Sequence, residues 1–420
     1  VETENFVAKI TRRGGVLASL TLKGFKGPDG KALELVREPG LFRSPEDTAL
    51  LSEAQPYIRV QPDQRVSVEF SGAGCKKVYT FEGSGYAITF KSNLNKIYLW
   101  GPYLTERDRR QDLRSSAALW RAEKLHKLGL GKLKKSPKAL GSPSWFGFRN
   151  HYFLWAFTPS EPVKFVEFKA LSDSLAQAKV LADSVSLVAY LGPIDPKVLP
   201  KYGLGEVFSW GFFLIAPISK AIYWMFVHMG RVVPNYGWVI VLFALLMKIA
   251  FFPLSVRTYR SMSKMQALKP KLEEIQRKYK DDPQRLQEAT LKLYQTYGVN
   301  PFSGCFPVLL QLPIFWALYQ VLRNAIEFRM APWVLWIQDL SYKDPYYVLP
   351  LVMGAVSILN TFFQPGVDRR ARMTSMLMAG LFVFIFLNLP AGIVLYWLTY
   401  NLYTTLEQAV IRAGGRRWST

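Results

Sequence analysis

The sequence predicts a two-part fold, a large all-β domain followed by a membrane-embedded α-helical core. Residues 1–200 form a series of short alternating or β-branched segments, whereas five long apolar runs follow residue 235. The composition agrees with such a division. The 420 residues are 50% hydrophobic and their mean hydropathy is +0.07, which is high for a soluble protein and low for a chain that is membrane throughout.

Charge and rare residues narrow the classes of function. The net charge of +22 suits a protein that lies beside anionic lipid or handles acidic segments, and we find no nucleic-acid-binding motif. The sequence holds only two cysteines and three isolated histidines, so we predict neither a disulfide framework nor a metal site. We also expect no cofactor. Any N-terminal anchor or targeting segment is expected ahead of Val1.

The first 200 residues are typical of strands joined by tight turns. Four segments alternate apolar and polar residues or are β-branched and aromatic. They are RVSVEF (65–70), KVYTFEGSGYAITF (77–90), VKFVEF (163–168) and SVSLVAYL (184–191). Strands of this length and spacing favour a large β-sandwich. A basic stretch between about 106 and 140 is interpreted either as a solvated loop, which we favour, or as a loop held against anionic headgroups.

The connection to the core, residues 201–235, contains an aromatic-rich segment at 206–230 that is interrupted by Pro217. Apolar residues at 218, 222, 225 and 226 surround Lys220, a pattern that favours an amphipathic helix lying in the membrane interface. A true transmembrane span is the alternative.

The first apolar run, YGWVIVLFALLMKIAFFPLS (236–255), is long enough to cross a bilayer and holds a single charge, Lys248. A charge inside hydrocarbon costs roughly 2.5–3.5 kcal/mol on insertion scales and is a functional candidate. Lys248 precedes the helix end by about 10 Å at 1.5 Å per residue. Its side chain could therefore also snorkel towards the headgroups. The spacing leaves both interpretations open.

Four more apolar runs follow, at about 306–322, 346–363, 373–389 and 391–411. The polar segment 256–303 has ten basic and five acidic residues, the 364–372 loop carries three arginines, and the 413–420 tail is basic. Excess positive charge marks the cytoplasmic side. We therefore predict five transmembrane helices in a 236–412 core, with these segments in the cytoplasm and the β domain outside it.

The cytoplasmic segment 256–303 is predicted to be a helical hairpin. Met262 and Met265 begin an apolar stripe at spacings of three and four that continues through Leu268, Leu272 and Ile275. Asp281 and Asp282 mark the turn, with Asp282 as the N-cap of the second helix and Pro283 at its first position. The stripe either joins the two helices or forms an adaptable surface for apolar segments.

The last runs are unusually polar for membrane spans. One face of the final run carries Tyr396, Thr399, Tyr400, Tyr403 and Glu407, with Trp397, Asn401, Thr404 and Gln408 beside it. Gln311 and Asn388 lie in two of the other runs. Such groups face protein or water in a bilayer. Interhelical hydrogen bonds explain some of them. Together with Lys248 they indicate a hydrated cavity shared between spans.

Three long segments resemble the YidC/Oxa/Alb family of membrane protein insertases. They are NPFSGCFPVLLQLPIFWALYQVL (300–322), APWVLWIQDLSYKDPYYVLPLVMG (331–354) and LPAGIVLYWLTYNL (389–402). The resemblance covers residues 200–412, and WFGFRNHYFLWAF (145–157) and VAYLGPID (188–195) are similar to the periplasmic domain of Gram-negative-type members. It implies a β-supersandwich domain, an interfacial helix, and a five-helix core with a groove open to cytoplasm and lipid. It also implies a further span ahead of Val1.

The resemblance also implies roles for particular residues. Lys248 takes the place of the positive groove residue, usually arginine, and lacks the planar guanidinium of arginine. The same resemblance implies substrate contacts at Gln311, Leu312, Pro313, Tyr396 and Trp397, and places Asp281 at the hairpin tip, where the family meets targeting factors and ribosomes. The polarity of the runs adds Asn388, Thr399, Tyr400, Asn401 and Tyr403 as groove candidates, and the hairpin pattern adds Met262, Met265 and Asp282 as candidates for cytoplasmic contacts.

The sequence therefore predicts a bacterial inner-membrane insertase and chaperone that acts without covalent chemistry and is not an enzyme. Expected partners are nascent membrane proteins, the Sec translocon, the ribosome with its targeting receptor, and anionic lipids. A secondary transporter is the alternative of a different class, but the internal repeats and paired broken helices expected of one are not evident. A chaperone for clients already inserted by a translocon stays open.

Overall fold

The computed structural model describes residues 1–45, 47, 50–52, 54–72, 74–299, 306–363 and 369–415. The chain divides into two compact units, Val1–Phe208 and Ser209–Thr420. Of the predicted features, the 300–305 part of the NPFSGC segment, Asp368 of the 364–372 loop, and Arg416 and Arg417 of the tail lie outside the described residues.

The first unit is built from fifteen strands, with short helices only, among the described residues. The strands are β1 (Phe6–Ile10), β2 (Leu17–Lys26), β3 (Ala32–Val36), β4 (Arg65–Gly72), β5 (Cys75–Glu82), β6 (Ala87–Ser92), β7 (Lys96–Gly101), β8 (Ala117–Arg121), β9 (Leu125–Gly129), β10 (Lys138–Leu140), β11 (Trp145–Arg149), β12 (Phe153–Pro159), β13 (Phe165–Ala170), β14 (Ala176–Leu181) and β15 (Val185–Pro193). The all-β character predicted for this half of the chain is confirmed.

These strands form antiparallel sheets of three, four and eight strands. Their orders are β1-β2-β3, β10-β13-β14-β7 and β4-β5-β6-β15-β12-β11-β8-β9. Both smaller sheets pack on the eight-stranded sheet: the rings of Phe148 on β11 and Phe168 on β13 are 5.4 Å apart, and Trp155 Nε1 donates to the carbonyl of Leu35 on β3 over 3.1 Å. Successive side chains point to opposite sides of a sheet, and large apolar residues of β11 and β12 are buried on both faces, Phe148 and Trp155 on one and Trp145 and Leu154 on the other.

The prediction that the basic stretch at 106–140 forms a loop is wrong. The stretch forms α1 (Arg109–Ser115), β8, β9, α2 (Leu130–Lys135) and β10, and β8 lies inside the eight-stranded sheet between β11 and β9. The few apolar side chains of the stretch supply its core contacts, because Leu119, Leu130 and Leu133 are all buried. The many charges that surround them conceal this pattern in the sequence.

The second unit is helical. Its helices are α3 (Ala216–Val232), α4 (Tyr236–Ala267), α5 (Lys269–Lys278), α6 (Pro283–Thr296), α7 (Phe306–Asn324), α8 (Val348–Phe363), α9 (Arg369–Phe386) and α10 (Ala391–Gly415). Each of the five predicted apolar runs coincides with one helix, namely α4, α7, α8, α9 or α10. Among the described residues, Tyr236–Ala267 alone is both long and apolar enough to cross a membrane, and Val348–Phe362 and Met373–Phe386 are shorter apolar helices.

The helical unit has an apolar core and an apolar outer surface. Phe243, Leu318 and Val394 belong to one buried cluster to which α3, α4, α7, α8, α9 and α10 all contribute. Large apolar side chains also cover the outside of these helices, among them Ile249, Leu309, Leu351, Leu377, Phe384 and Leu406. Contiguous exposed apolar surface of this kind marks a membrane or protein interface.

α3 has one buried face, which contains Ile222, Tyr223 and Phe226, while Trp224 and Val232 on the other side are exposed. This arrangement agrees with an amphipathic helix packed against the bundle.

Further along, α4 continues without a break through Pro253 into the polar segment, and α5 and α6 pack against each other. Asp282 is the N-cap of α6, its side chain accepting a hydrogen bond from the Arg285 backbone amide over 3.0 Å. The predicted cap is confirmed.

Candidate functional site

Lys248 lies on the inner face of α4. The buried residues of this helix, Gly237, Val239, Ile240, Phe243, Ala244 and Lys248, recur at spacings of one to four. Lys248 thus follows Ala244 by one helical turn on the face that packs into the bundle, whereas Ile249 next to it is exposed. This position favours an interior site over a side chain that snorkels to the headgroups.

Among the described residues, the Lys248 ammonium contacts three side chains of α10. Its Nζ lies 2.5 Å from Glu407 Oε2, with the two side chains only 9% and 7% exposed. It donates to Thr404 Oγ1 over 3.0 Å and stands 5.0 Å from the centre of the Tyr400 ring. The helical repeat places residues 400, 404 and 407 on one face of α10. The contacts of the Lys248 ammonium therefore come from a single stripe of side chains on that helix.

Two further polar contacts connect α10 with its neighbours. Gln311 Nε2 on α7 donates to the Tyr396 hydroxyl over 2.6 Å, and both side chains are buried. Asn360 Nδ2 on α8 lies 3.3 Å from both the backbone oxygen and Oδ1 of Asn401, while Thr405 donates to Asn360 Oδ1. α10 is therefore joined to α4, α7 and α8 by polar side chains inside an apolar bundle.

Three buried polar atoms on α10 have no hydrogen-bond partner within the described ranges: Asn401 Nδ2, Glu407 Oε1 and Gln408 Oε1. Buried polar groups in proteins are normally satisfied by protein or by ordered water. Of the three, Glu407 contacts Lys248, so its free oxygen marks a place for water or for a polar group of a ligand.

Trp397 belongs to a different, aromatic cluster. Its ring centre lies 5.5 Å from that of Phe315 on α7 and 5.6 Å from that of Phe386 on α9. On the neighbouring turn of α7, Leu312 is 45% exposed and Pro313 is half-buried inside the helix. An exposed apolar strip on α7 thus adjoins the polar site.

Several predicted site residues are not brought together with Lys248. Asn388 is exposed and follows the end of α9, ahead of the first residue of α10, and Glu407 lies near the other end of α10. Thr399 and Tyr403 line an apolar pocket shared with Val241 and Leu359, and Thr399 donates to the Leu395 carbonyl of its own helix over 2.8 Å. The hairpin candidates Met262, Met265, Asp281 and Asp282 are on α4 and at the α5–α6 turn.

Sequence reasoning missed two features of the site. Glu407 stands on the predicted polar face, but its pairing with Lys248 is not foreseen, because helix spacing does not reveal which spans are neighbours. Asn360 is not singled out, although an amide inside the apolar 346–363 run is the kind of signal that identified Gln311. In the described part of the chain, no group of three His, Cys, Asp or Glu residues is placed so that it could hold a metal ion.

Fold and site together define a membrane protein in which an all-β domain accompanies a helical bundle with an apolar outer surface, an apolar core and a small buried polar site. A sequence profile of the 60Kd inner membrane protein family matches residues 212–417, and a profile of the YidC periplasmic domain matches residues 1–225. The chain belongs to the YidC family of membrane protein insertases, inner-membrane proteins with a periplasmic domain.

Two relatives at more than 30% identity agree with this assignment. The membrane protein insertase YidC of Geotalea daltonii is 32% identical, over 98% of this chain and 86% of that protein. The protein of the same name from Geobacter sp. is 33% identical over 98% of this chain and 84% of its own length. A crystal structure described as an active YidC insertase with the first transmembrane domain resolved aligns with a TM-score of 0.48 at 22% identity, over 98% of this chain and 91% of that chain.

Proposed function

We propose that this chain is a membrane protein insertase and chaperone with five transmembrane helices, α4 and α7 to α10. The excess of basic residues in 256–303 supports a cytoplasmic position for α5 and α6. The β domain then lies in the periplasm, and α3 lies in the interface on the same side. The basic tail beyond α10 is on the cytoplasmic side together with the α9 N-terminus.

The observation that carries the proposal is the buried charged site of α4 and α10, in which one oxygen of Glu407 has no hydrogen-bond partner among the described residues. Polar backbone is costly where it meets lipid. A site that holds water inside the bundle lowers this desolvation barrier for the polar tail of a client protein. Lys248 attracts acidic tails, and Gln311, Tyr396 and Asn401 supply neutral hydrogen-bonding groups along the same helix faces.

The apolar helix of the client would leave the site along the exterior of α7. Leu309, Leu312 and Trp316 are exposed there at helical spacing, and Pro313 and Trp397 lie beside them. Burying each apolar side chain in lipid gains roughly 1.5–3 kcal/mol, so client hydrophobicity drives the transfer. A membrane potential that is positive outside adds about 2.3 kcal/mol per charge and 100 mV for an acidic tail.

The α5–α6 segment is proposed to receive clients from the cytoplasm. Asp281 is exposed at its turn, and the half-buried methionines Met262 and Met265 lie where α4 passes into it. We propose contacts with the ribosome and the targeting receptor here, cooperation with the Sec translocon for larger clients, and binding of anionic lipids by the basic segments.

The proposal is tested by inserting a single-span client with an acidic N-terminal tail into liposomes that contain only this protein. Lys248→Ala is expected to abolish insertion and Lys248→Arg to support it, as measured by protease protection of the tail. Because Lys248→Ala leaves a buried carboxylate unpaired, Lys248→Ala with Glu407→Gln is the matched control for folding. Normal insertion by both alanine variants would contradict the proposed site, and no insertion by wild type above empty liposomes would contradict unaided insertion.

A further inference from the structure

The charge inside this bundle is paired. Lys248 and Glu407 stand 2.5 Å apart with less than a tenth of either side chain exposed, so the net charge of the pair is zero rather than positive. Thr404 and the Tyr400 ring complete the surroundings of the ammonium. A client tail that enters the site therefore meets a cation and an anion at almost the same depth.

Glu407 also presents a free acceptor. Its second oxygen, Oε1, is buried and unpartnered within the described residues. A carboxylate oxygen of this kind accepts hydrogen bonds from an ammonium or guanidinium group. The site thus contains a recognition group for basic client segments as well as one for acidic segments.

We propose that Glu407 is a specificity-determining residue that sets which client charges the site admits. This inference rests on the proposed insertase function. Glu407 shields Lys248 and competes with acidic tails for it, while its free oxygen holds the lysine or arginine of a basic tail. The site consequently discriminates little between acidic and basic tails, which a lone positive residue in the same place would not do.

The experiment measures the ratio of acidic-tail to basic-tail insertion in liposomes. One single-span client is made with aspartates, lysines or serines in its N-terminal tail, and insertion of each charged version is divided by that of the serine version. Glu407→Gln exposes the lysine charge and is expected to raise the acidic-to-basic ratio about tenfold, because one of two opposed charges at contact distance is removed. Lys248→Gln is expected to lower the ratio by a similar factor.

Three further variants keep the test independent of folding. Glu407→Gln combined with Lys248→Arg retains a positive charge, since arginine stays protonated, and is expected to show the same raised ratio. Glu327→Gln makes the same carboxylate-to-amide change outside the site, where Glu327 accepts a hydrogen bond from the Tyr223 hydroxyl of α3, and should leave the ratio unchanged. Exchanging the pair, Lys248→Glu with Glu407→Lys, should return the ratio to that of wild type.

The outcomes separate this inference from the function on which it rests. If all variants insert the serine-tail client and the ratio is the same with Glu407→Gln as with wild type, Glu407 does not determine specificity. If no variant and no wild-type protein inserts the serine-tail client, the proposed insertase function itself fails.

Discussion

At the scale of single residues, the polar side chains of α10 define how this helix faces the rest of the bundle. Lys248 on α4, Gln311 on α7 and Asn360 on α8 each reach a different turn of α10. Interhelical hydrogen bonds in membranes contribute on average about 0.6 kcal/mol each. These hydrogen bonds therefore add little to the stability of the bundle. Their main effect is to fix the rotation of α10 about its own axis, which places Glu407 beside Lys248.

The Gln311–Tyr396 hydrogen bond offers a test at this scale. Tyr396→Phe removes the hydroxyl and leaves the Gln311 amide buried without its partner, which is expected to lower the free energy of unfolding by about 1 kcal/mol. Thermal unfolding of the purified protein in detergent measures the effect. Tyr403→Phe removes a hydroxyl from a half-buried tyrosine of the same helix and serves as the control. Equal melting temperatures for both variants would show that the bond contributes nothing.

At the scale of the elements, α4 is both the first core helix and the beginning of the polar hairpin region. Its 32 residues extend well past the apolar run that ends at Ser255, so Lys248 and the stripe at Met262 and Met265 belong to one continuous helix. α6 in turn depends on its own N-terminal cap.

Replacing the cap of α6 has a local expected effect. Asp282→Ala removes the acceptor for the Arg285 amide and is expected to destabilise the first turn of α6 by about 1 kcal/mol. Hydrogen exchange of peptides that cover 283–290 should accelerate, while exchange of α7 to α10 stays as in wild type. Asp281→Ala, one residue earlier and outside the cap, is the matched control. Identical exchange in the two variants would contradict the capping role.

At the scale of the whole molecule, periodicity and charge predicted the division into an all-β half and a helical half, and the positions of α4 and α7 to α10. Both predictions follow from local patterns in the sequence. Contacts between residues that are far apart in the sequence could not be predicted in this way. Lys248 and the α10 residues that surround it are more than 150 positions apart, as the 156-residue separation of Lys248 and Thr404 illustrates, and no local pattern pairs them.

The wrong prediction for the 106–140 stretch has a physical origin. Three of its leucines are buried although charged residues outnumber them. Asn388 is exposed beyond the end of α9 at Phe386, and its role in the groove stays a prediction. Burial depends on which elements become neighbours, and composition along the chain does not determine this.

The most direct test of the account is disulfide trapping of a client during insertion. In a variant with Cys75 and Cys305 replaced by serine, a single cysteine is placed at Thr404 beside Lys248, at Leu312 on the exposed strip of α7, or at Phe384 on the outer side of α9. We expect the cysteine of an acidic client tail to be trapped at position 404, and a cysteine in its apolar helix at position 312, with little product at 384. Trapping of the tail at 384 as efficiently as at 404 would contradict passage of the client through the polar interior of the bundle.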